Sequence, residues 1–218
     1  MACLLLILLL LGLAIAWIEA RHRLRPASPL LLCESDWSVN QKGASLVMDG
    51  WLEISNPHTR MEVMVPELEV HPTLIGSADL RDIVTSIQIT PQHPDEDTRA
   101  DGYWPAYIVK GQKSTKVHVE ITLTGDAATP VGERVDTVWV DVQWVNYGPF
   151  GRLSRRQGVV VPLRRPAVMA AGQAAFRTGE GCSVLPLKTH LLGPLDDCIE
   201  VLRHYAGDLL QKGDILTI

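Results

Sequence analysis

No charged side chain stands between Met1 and Ile18, which excludes an ordinary soluble start to the chain. Eighteen apolar residues rise about 27 Å as a helix, close to the thickness of a hydrocarbon core. Residues 1–18 therefore read as a single transmembrane anchor. No Lys or Arg precedes this run, whereas a secretory signal carries its positive charge ahead of its apolar stretch. The charge comes afterwards, at Arg21, Arg23 and Arg25. That asymmetry predicts an N-terminus outside and a cytoplasmic soluble portion. The rival is a cleaved signal, suggested by the small-x-small pattern Ala14-Ile15-Ala16, with processing at Ala16 or Ala20 and a periplasmic domain. Cys3 precedes the apolar run instead of closing it, so it is not a lipoprotein cysteine.

Paired cysteine spacing is missing too. Cys3, Cys33, Cys182 and Cys198 form no C-x-x-C, which excludes a zinc ribbon or a redox pair. Free thiols suit the reducing cytosol that the arginines predict. Basic excess is absent: beyond residue 25 the chain carries net charge −7, with 17 basic and 24 acidic side chains. Nucleic acid, which needs a basic face, is excluded as a partner on that ground. The doublets Arg155-Arg156 and Arg164-Arg165 read as solvated positions near strand ends. There is no G-x-x-x-x-G-K, no G-x-G-x-x-G and no glycine-framed nucleophilic serine, and no His has an i, i+4 His partner. No catalytic or metal-binding residue is assigned, and the cofactor-binding residues stay unknown.

What is present is alternation. Residues 19–34 form a juxtamembrane connector, after which the period changes to two. Leu46, Met48, Leu52 and Ile54 lie on one side of a strand over Leu46–Ser55, with Asp49 and Glu53 on the other. Asn56-Pro57 breaks it. Further strands are expected at Met61–Val65, Leu68–Leu74 and Ile83–Thr90. The clearest covers Thr115–Thr124, with Val117, Val119, Ile121 and Leu123 on its apolar side. Val138–Val145 and Ser154–Leu163 flank a turn at Tyr147–Gly151. About seven strands with frequent turns and hardly any helical period predict a mainly β fold. Residues 35–163 are read as an antiparallel β-sandwich of Ig-like architecture, without the Cys–Trp–Cys spacing of an antibody domain.

Residues 164–180 are rich in Ala and Gly and read as a linker. Residues 181–218 begin an incomplete α+β segment: a strand at Ser183–Leu187, a helix over Leu195–Leu210, and a buried strand at Ile215–Ile218. Asp196 and Asp197 are placed in the first turn of that helix, and Ile199, Leu202 and Tyr205/Ala206 on its apolar face. A strand–helix–strand start of this length cannot bury both faces of a sheet. It reads as the start of a truncated domain.

The most ligand-like stretch is Pro91–Gly102, where Asp95, Asp97 and Asp101 offer hard oxygens and His93 a nitrogen. The acids lack EF-hand spacing, and a solvated, proline-braced loop is the preferred reading. Trp17 suits an interfacial anchor. Trp37, Trp51, Trp104, Trp139 and Trp144 read as core or strand-edge packing.

Val184–Leu191, Leu195-Asp196-Asp197 and Lys212–Ile218 together resemble the opening of the coenzyme F420-0:L-glutamate (gamma-glutamyl) ligase family, in the membrane-anchored form found in cyanobacteria. The upstream patterns His93-Pro94-Asp95, Asp101–Trp104, Tyr107–Lys110 and Tyr147-Gly148-Pro149 are similar to it as well. The resemblance implies GTP-dependent amide-bond formation between L-glutamate and a phosphorylated deazaflavin, with a divalent metal. It places the active-site elements beyond Ile218, so this chain is expected to be inactive. Pro186, Lys188 and Asp214 match the opening pattern, Pro186 and Asp214 as turn and strand-edge positions; an approach of Lys188 to a phosphate is the less favoured reading, and no nucleotide-binding residue is carried over. Ile54-Ser55-Asn56-Pro57 resembles late-embryogenesis-abundant type domains, which implies instead a membrane-tethered binding module for a protein or lipid partner.

Overall fold

A computed structural model describes residues 2–23, 29–35, 37–98, 101–126, 129–148, 151–194 and 196–217. The apolar run is helical and longer than the uncharged stretch: α1 spans Ala2–Arg23. It is the one described helix long and apolar enough to cross a membrane, and none of its span is buried against the rest of the chain. Trp17 is exposed, with the Arg21 guanidinium 5.4 Å from its ring. Arg25 lies outside the described residues.

Two antiparallel sheets follow. The first contains β1 (Leu31–Glu34), β2 (Ser38–Lys42), β3 (Ser45–Ser55), β6 (Val84–Gln92) and β8 (Ser114–Thr124). Its order is β1-β3-β8-β6, with β2 also on β3. The second contains β4 (Val63–Val65), β5 (Leu68–Ile75), β7 (Tyr107–Val109), β9 (Thr137–Gly148) and β10 (Gly151–Pro162). There the order is β10-β9-β4-β7, with β5 also on β9. The expected connector thus ends inside a sheet, because Leu31–Glu34 pairs with Leu52–Ser55. Sequence reading missed β1, β2 and β7, which are too short to display a period.

Alternation sets the core. Leu46, Met48, Leu52 and Ile54 of β3 are buried, as are Val117, Val119, Ile121 and Leu123 of β8; Leu46 pairs with Leu123, Met48 with Ile121, Gly50 with Val119 and Leu52 with Val117. Val138, Val140, Val142 and Trp144 of β9 and Val159 and Val161 of β10 close the core from the second sheet. Each fully buried Val or Leu contributes about 1.5–3 kcal/mol. The other face of β3 and β8 is polar: Glu53 lies 3.8 Å from Lys116, Asp49 lies 3.4 Å from His118, and Trp51 rests against the His118 ring. Two glycines make room for indoles. A Cβ at Gly50 would sit 2.4 Å from Trp37, and one at Gly158 would sit 2.0 Å from Trp139. The short helix α2 (Val131–Arg134) buries Val131 and ties down the 79–82 loop, since Arg134 pairs with Asp82 and donates to the Asp79 carbonyl. Of the arginine doublets, Arg156 pairs with Asp141 and Arg164 with Asp136.

The C-terminal segment departs from its expected elements. Within the linker, β11 (Arg177–Gly179) pairs with β12 (Cys182–Val184), so the strand expected at 183–187 is one arm of a short hairpin. Helix α3 spans Cys198–Ala206, and Leu195 lies outside the described residues. Asp197 is its N-cap, accepting from the Ile199 and Glu200 amides, and Asp196 turns away to His190. The buried face is Val201, Tyr205 and Ala206, while Ile199 is exposed. A local carboxylate cap starts the helix later than the apolar pattern suggests. Residues 215–217 form no strand and Ile215 is exposed; Ile218 is outside the described residues.

Candidate functional site

The motif residues singled out around position 93 meet at one end of the sandwich. Three connections build this end: the β3–β4 turn, the segment from β6 to β7, and the β7–β8 turn. His93 follows β6 directly and is only 7% exposed. Its Nδ1 lies 2.7 Å from Thr115 Oγ1, and Thr115 donates to the Gln92 carbonyl at 3.4 Å. The imidazole stacks on Tyr107, centroids 4.0 Å apart and planes within 2°, and meets the edge of Trp104 at 5.0 Å. Its Nε2 is buried and has no hydrogen-bond partner among the described residues. Burial pushes the His93 pKa below its ordinary value of 6.5, which keeps the ring neutral.

Asp95 joins the same cluster from outside. The Tyr107 hydroxyl donates to it at 2.8 Å and Lys110 Nζ at 3.1 Å. These two bonds hold its carboxyl below the usual range. Burial first, then the bond to Asp95, pushes Tyr107 up to about 12. Trp104 Nε1 donates to the Val65 carbonyl at 2.9 Å and so pins the segment onto β4. Buried Asn56 fastens the opposite side: its Nδ2 donates to the Met61 carbonyl at 2.7 Å and the Val109 carbonyl at 2.9 Å, and its Oδ1 accepts from the His58 amide. Gln112, at φ 56°, donates its amide to the Asn56 and His58 carbonyls. Beside the cluster runs a shallow groove lined by Glu53, Ser55, Pro57, Pro94, Lys113 and Ser114, among others.

The four candidate ligands of the 91–102 loop are thus divided. His93 is buried in an aromatic stack and Asp95 is held by Tyr107 and Lys110. Asp97 is exposed, and Asp101 accepts from the Tyr103 amide at 3.3 Å. Among the described residues no group of three or more His, Cys, Asp or Glu could hold a metal ion. The arrangement is a polar and aromatic clasp between the two sheets. Trp104 and Trp144 are buried, as the packing reading expects.

A second polar cluster went unread in the sequence. His190 is buried, with Nδ1 2.9 Å from the Tyr205 hydroxyl and Nε2 3.0 Å from Asp196 Oδ1. Asp196 also accepts from the Gly193 amide at 2.8 Å. Burial raises the Asp196 pKa, but the bonds from Gly193 and His190 outweigh it and leave the carboxyl below its ordinary value. A Cβ on Gly193 would lie 2.7 Å from Val160, so this cluster seats the segment on β10. The only sequence signal was the Asp196-Asp197 pair, of which one member caps the helix and the other orients the histidine. Lys188 and Pro186 are exposed, and Asp214 accepts from the Gln211 amide at 2.8 Å.

Among solved structures, the GAE domain of GGA2p from Saccharomyces cerevisiae is similar at 8% identity and a TM-score of 0.35, covering 63% of this chain and 95% of that one. The N-terminal domain of PorA is similar at 11% identity and a TM-score of 0.35, covering 59% and 94%. Likeness at these TM-scores carries no argument about function. No curated protein matches the chain. A family model does: that of the F420-0:gamma-glutamyl ligase N-terminal Ig-like domain matches residues 31–165, from the first strand to just past the last strand of the sandwich. The chain therefore belongs to the family of F420-0:gamma-glutamyl ligase N-terminal Ig-like domains.

Proposed function

We propose that this chain is a membrane-tethered, non-catalytic Ig-like module of the F420-0:gamma-glutamyl ligase family. The observation that carries the reading is the order of its parts: an apolar helix over Ala2–Arg21, none of it buried, precedes a family-matched Ig-like sandwich at 31–165. The helix tethers, and the sandwich spaces or recruits at the membrane surface. Ligase chemistry, with GTP, a divalent cation, L-glutamate and a phosphorylated deazaflavin, belongs in this reading to a protein that carries the ligase domain. Arg21, Arg23 and Arg25, which follow the uncharged stretch, support a cytoplasmic sandwich.

The test is carbonate extraction of membranes followed by intact-mass measurement. Retention in the pellet at the full 24.0 kDa is expected. Release into the supernatant with residues up to Ala16 or Ala20 removed overturns the tether in favour of a cleaved signal. In right-side-out spheroplasts the soluble portion is protected from added protease; its digestion overturns the cytoplasmic placement. The 218-residue chain supplied with GTP, magnesium, L-glutamate and F420-0 forms no amide product, and a glutamylated product overturns the non-catalytic reading.

A further inference from the structure

The join between helix and sandwich fixes which end of the sandwich a membrane meets. Arg23 ends α1 and Leu31 begins β1, and the chain between them reaches at most about 28 Å. Leu31 pairs with Ser55, and the next residue, Asn56, bonds the Val109 carbonyl. The end of the sandwich that carries Ser55 and Val109 is therefore the tethered end. The opposite end lies the length of the eleven-residue β3 further away, about 36 Å.

The tethered end exposes apolar side chains on the outer face of the second sheet. Val63 and Val65 of β4 and Tyr107 and Val109 of β7 are buried, so Met64 and Ile108 between them face outward. Register places Met64 beside Ile108 on one side and beside Tyr147 of β9 on the other. Ile108 is 46% exposed and Tyr147 45%. Cross-strand partners share a face, so these side chains form one uncharged row across three strands. Arg152 continues the row opposite Tyr147, with its charge paired to Glu67.

Size selects the occupant. A stable protein interface takes roughly 20–30 residues a side, far more than this row supplies before it meets charge. A tethered surface needs much less contact, because a short linker holds it at an effective concentration in the millimolar range. Isoleucine, methionine and the amphipathic tyrosine ring suit the boundary between headgroups and acyl chains. The exposed Glu62, Glu96 and Asp97 stand at the same end and repel anionic headgroups. We propose that Ile108, Met64 and Tyr147 form a bilayer contact that lays the tethered end of the sandwich onto headgroups without net charge. The proposal rests on the tether reading, since so small a contact does not form from free solution.

The full chain in phosphatidylcholine proteoliposomes tests it, with flotation of the liposomes reporting the tether separately. Cys3, Cys33, Cys182 and Cys198 are first replaced by serine. An environment-sensitive fluorophore is then attached at Thr59→Cys, on the tethered end, or at Ser77→Cys, on the opposite end, both exposed positions. A nitroxide on the lipid headgroup is expected to quench the probe at 59 at least three times more than the probe at 77. Met64→Glu should cut the quenching at 59 by half or more while the chain still floats. Equal quenching at the two positions, or quenching at 59 that Met64→Glu leaves unchanged, overturns the contact and spares the tether. An emission shift at 59 without nitroxide quenching means that protein covers the row, and it overturns the contact too. A chain that fails to float overturns the tether and the contact with it. If thermal melts show Met64→Glu unfolded, Tyr147→Ser replaces it with the same expected loss.

Discussion

Asn56, only 1% exposed, uses its amide nitrogen and its carbonyl oxygen to join Met61 and His58 of the β3–β4 connection to the β7 carbonyl at Val109. Each group left buried without a partner costs about 1–3 kcal/mol. Asn56→Ala is expected to destabilise the sandwich by about 2–3 kcal/mol in chemical denaturation. Asn56→Asp should be worse, because a buried carboxylate would face two carbonyl oxygens where an amide now donates. A variant Asp as stable as Ala would show that the site is wetter than its geometry implies. His93 gives a pH signature. Its pKa is lowered on folding, so the unfolded chain binds a proton more readily. The sign follows: stability is whole above about pH 6.5 and falls as pH drops from there towards the folded value. Melts from pH 7.5 to 5 should show the wild type losing more Tm than His93→Gln. Parallel loss in both would assign the acid sensitivity elsewhere.

At the scale of elements, two strands depend on glycines that sit under tryptophans. Gly50 faces the core within β3, where Trp37 fills the space a side chain would take, and Gly158 plays the same part for Trp139 between β9 and β10. Overpacking a fitted site costs about 1–3 kcal/mol. Gly50→Ala and Gly158→Ala should each lower stability by about that amount in denaturant titrations. Adding Trp139→Leu to Gly158→Ala should recover part of the loss, since the smaller side chain leaves room for the methyl. Full additivity of the two changes would rule out the clash between the methyl and the Trp139 indole. Alternation revealed the buried faces of β3 and β8 in the sequence, but a glycine at a core position gave no hint of an indole arriving from another strand or loop.

At the scale of the whole molecule, the segment after the sandwich lies against β10 at Gly193. The bonds Asp196–His190–Tyr205 fold the segment on itself, and the close fit of Gly193 on Val160 sets it against β10. Tyr205→Phe removes the phenol that bonds His190, so the 164–180 stretch should be cut faster by limited proteolysis while the Tm of the sandwich stays within a degree or two. An unchanged cutting rate would mean that apolar contacts of Val201 and Ala206 suffice.

The sequence by itself determined the apolar helix, the antiparallel β class, the Ig-like architecture and the buried sides of the longer strands. Those follow from local properties, the absence of charge over a membrane thickness and apolar side chains at a period of two. Only the tertiary structure decided which polar residues meet. His93 and Thr115 lie 22 residues apart, Asn56 and Val109 53, and His190 and Tyr205 15. Such partners are selected by sheet register and packing, which no local period encodes. The same holds for β6: alternation shows that it is a strand, and only the order of strands in the sheet leaves it at an edge.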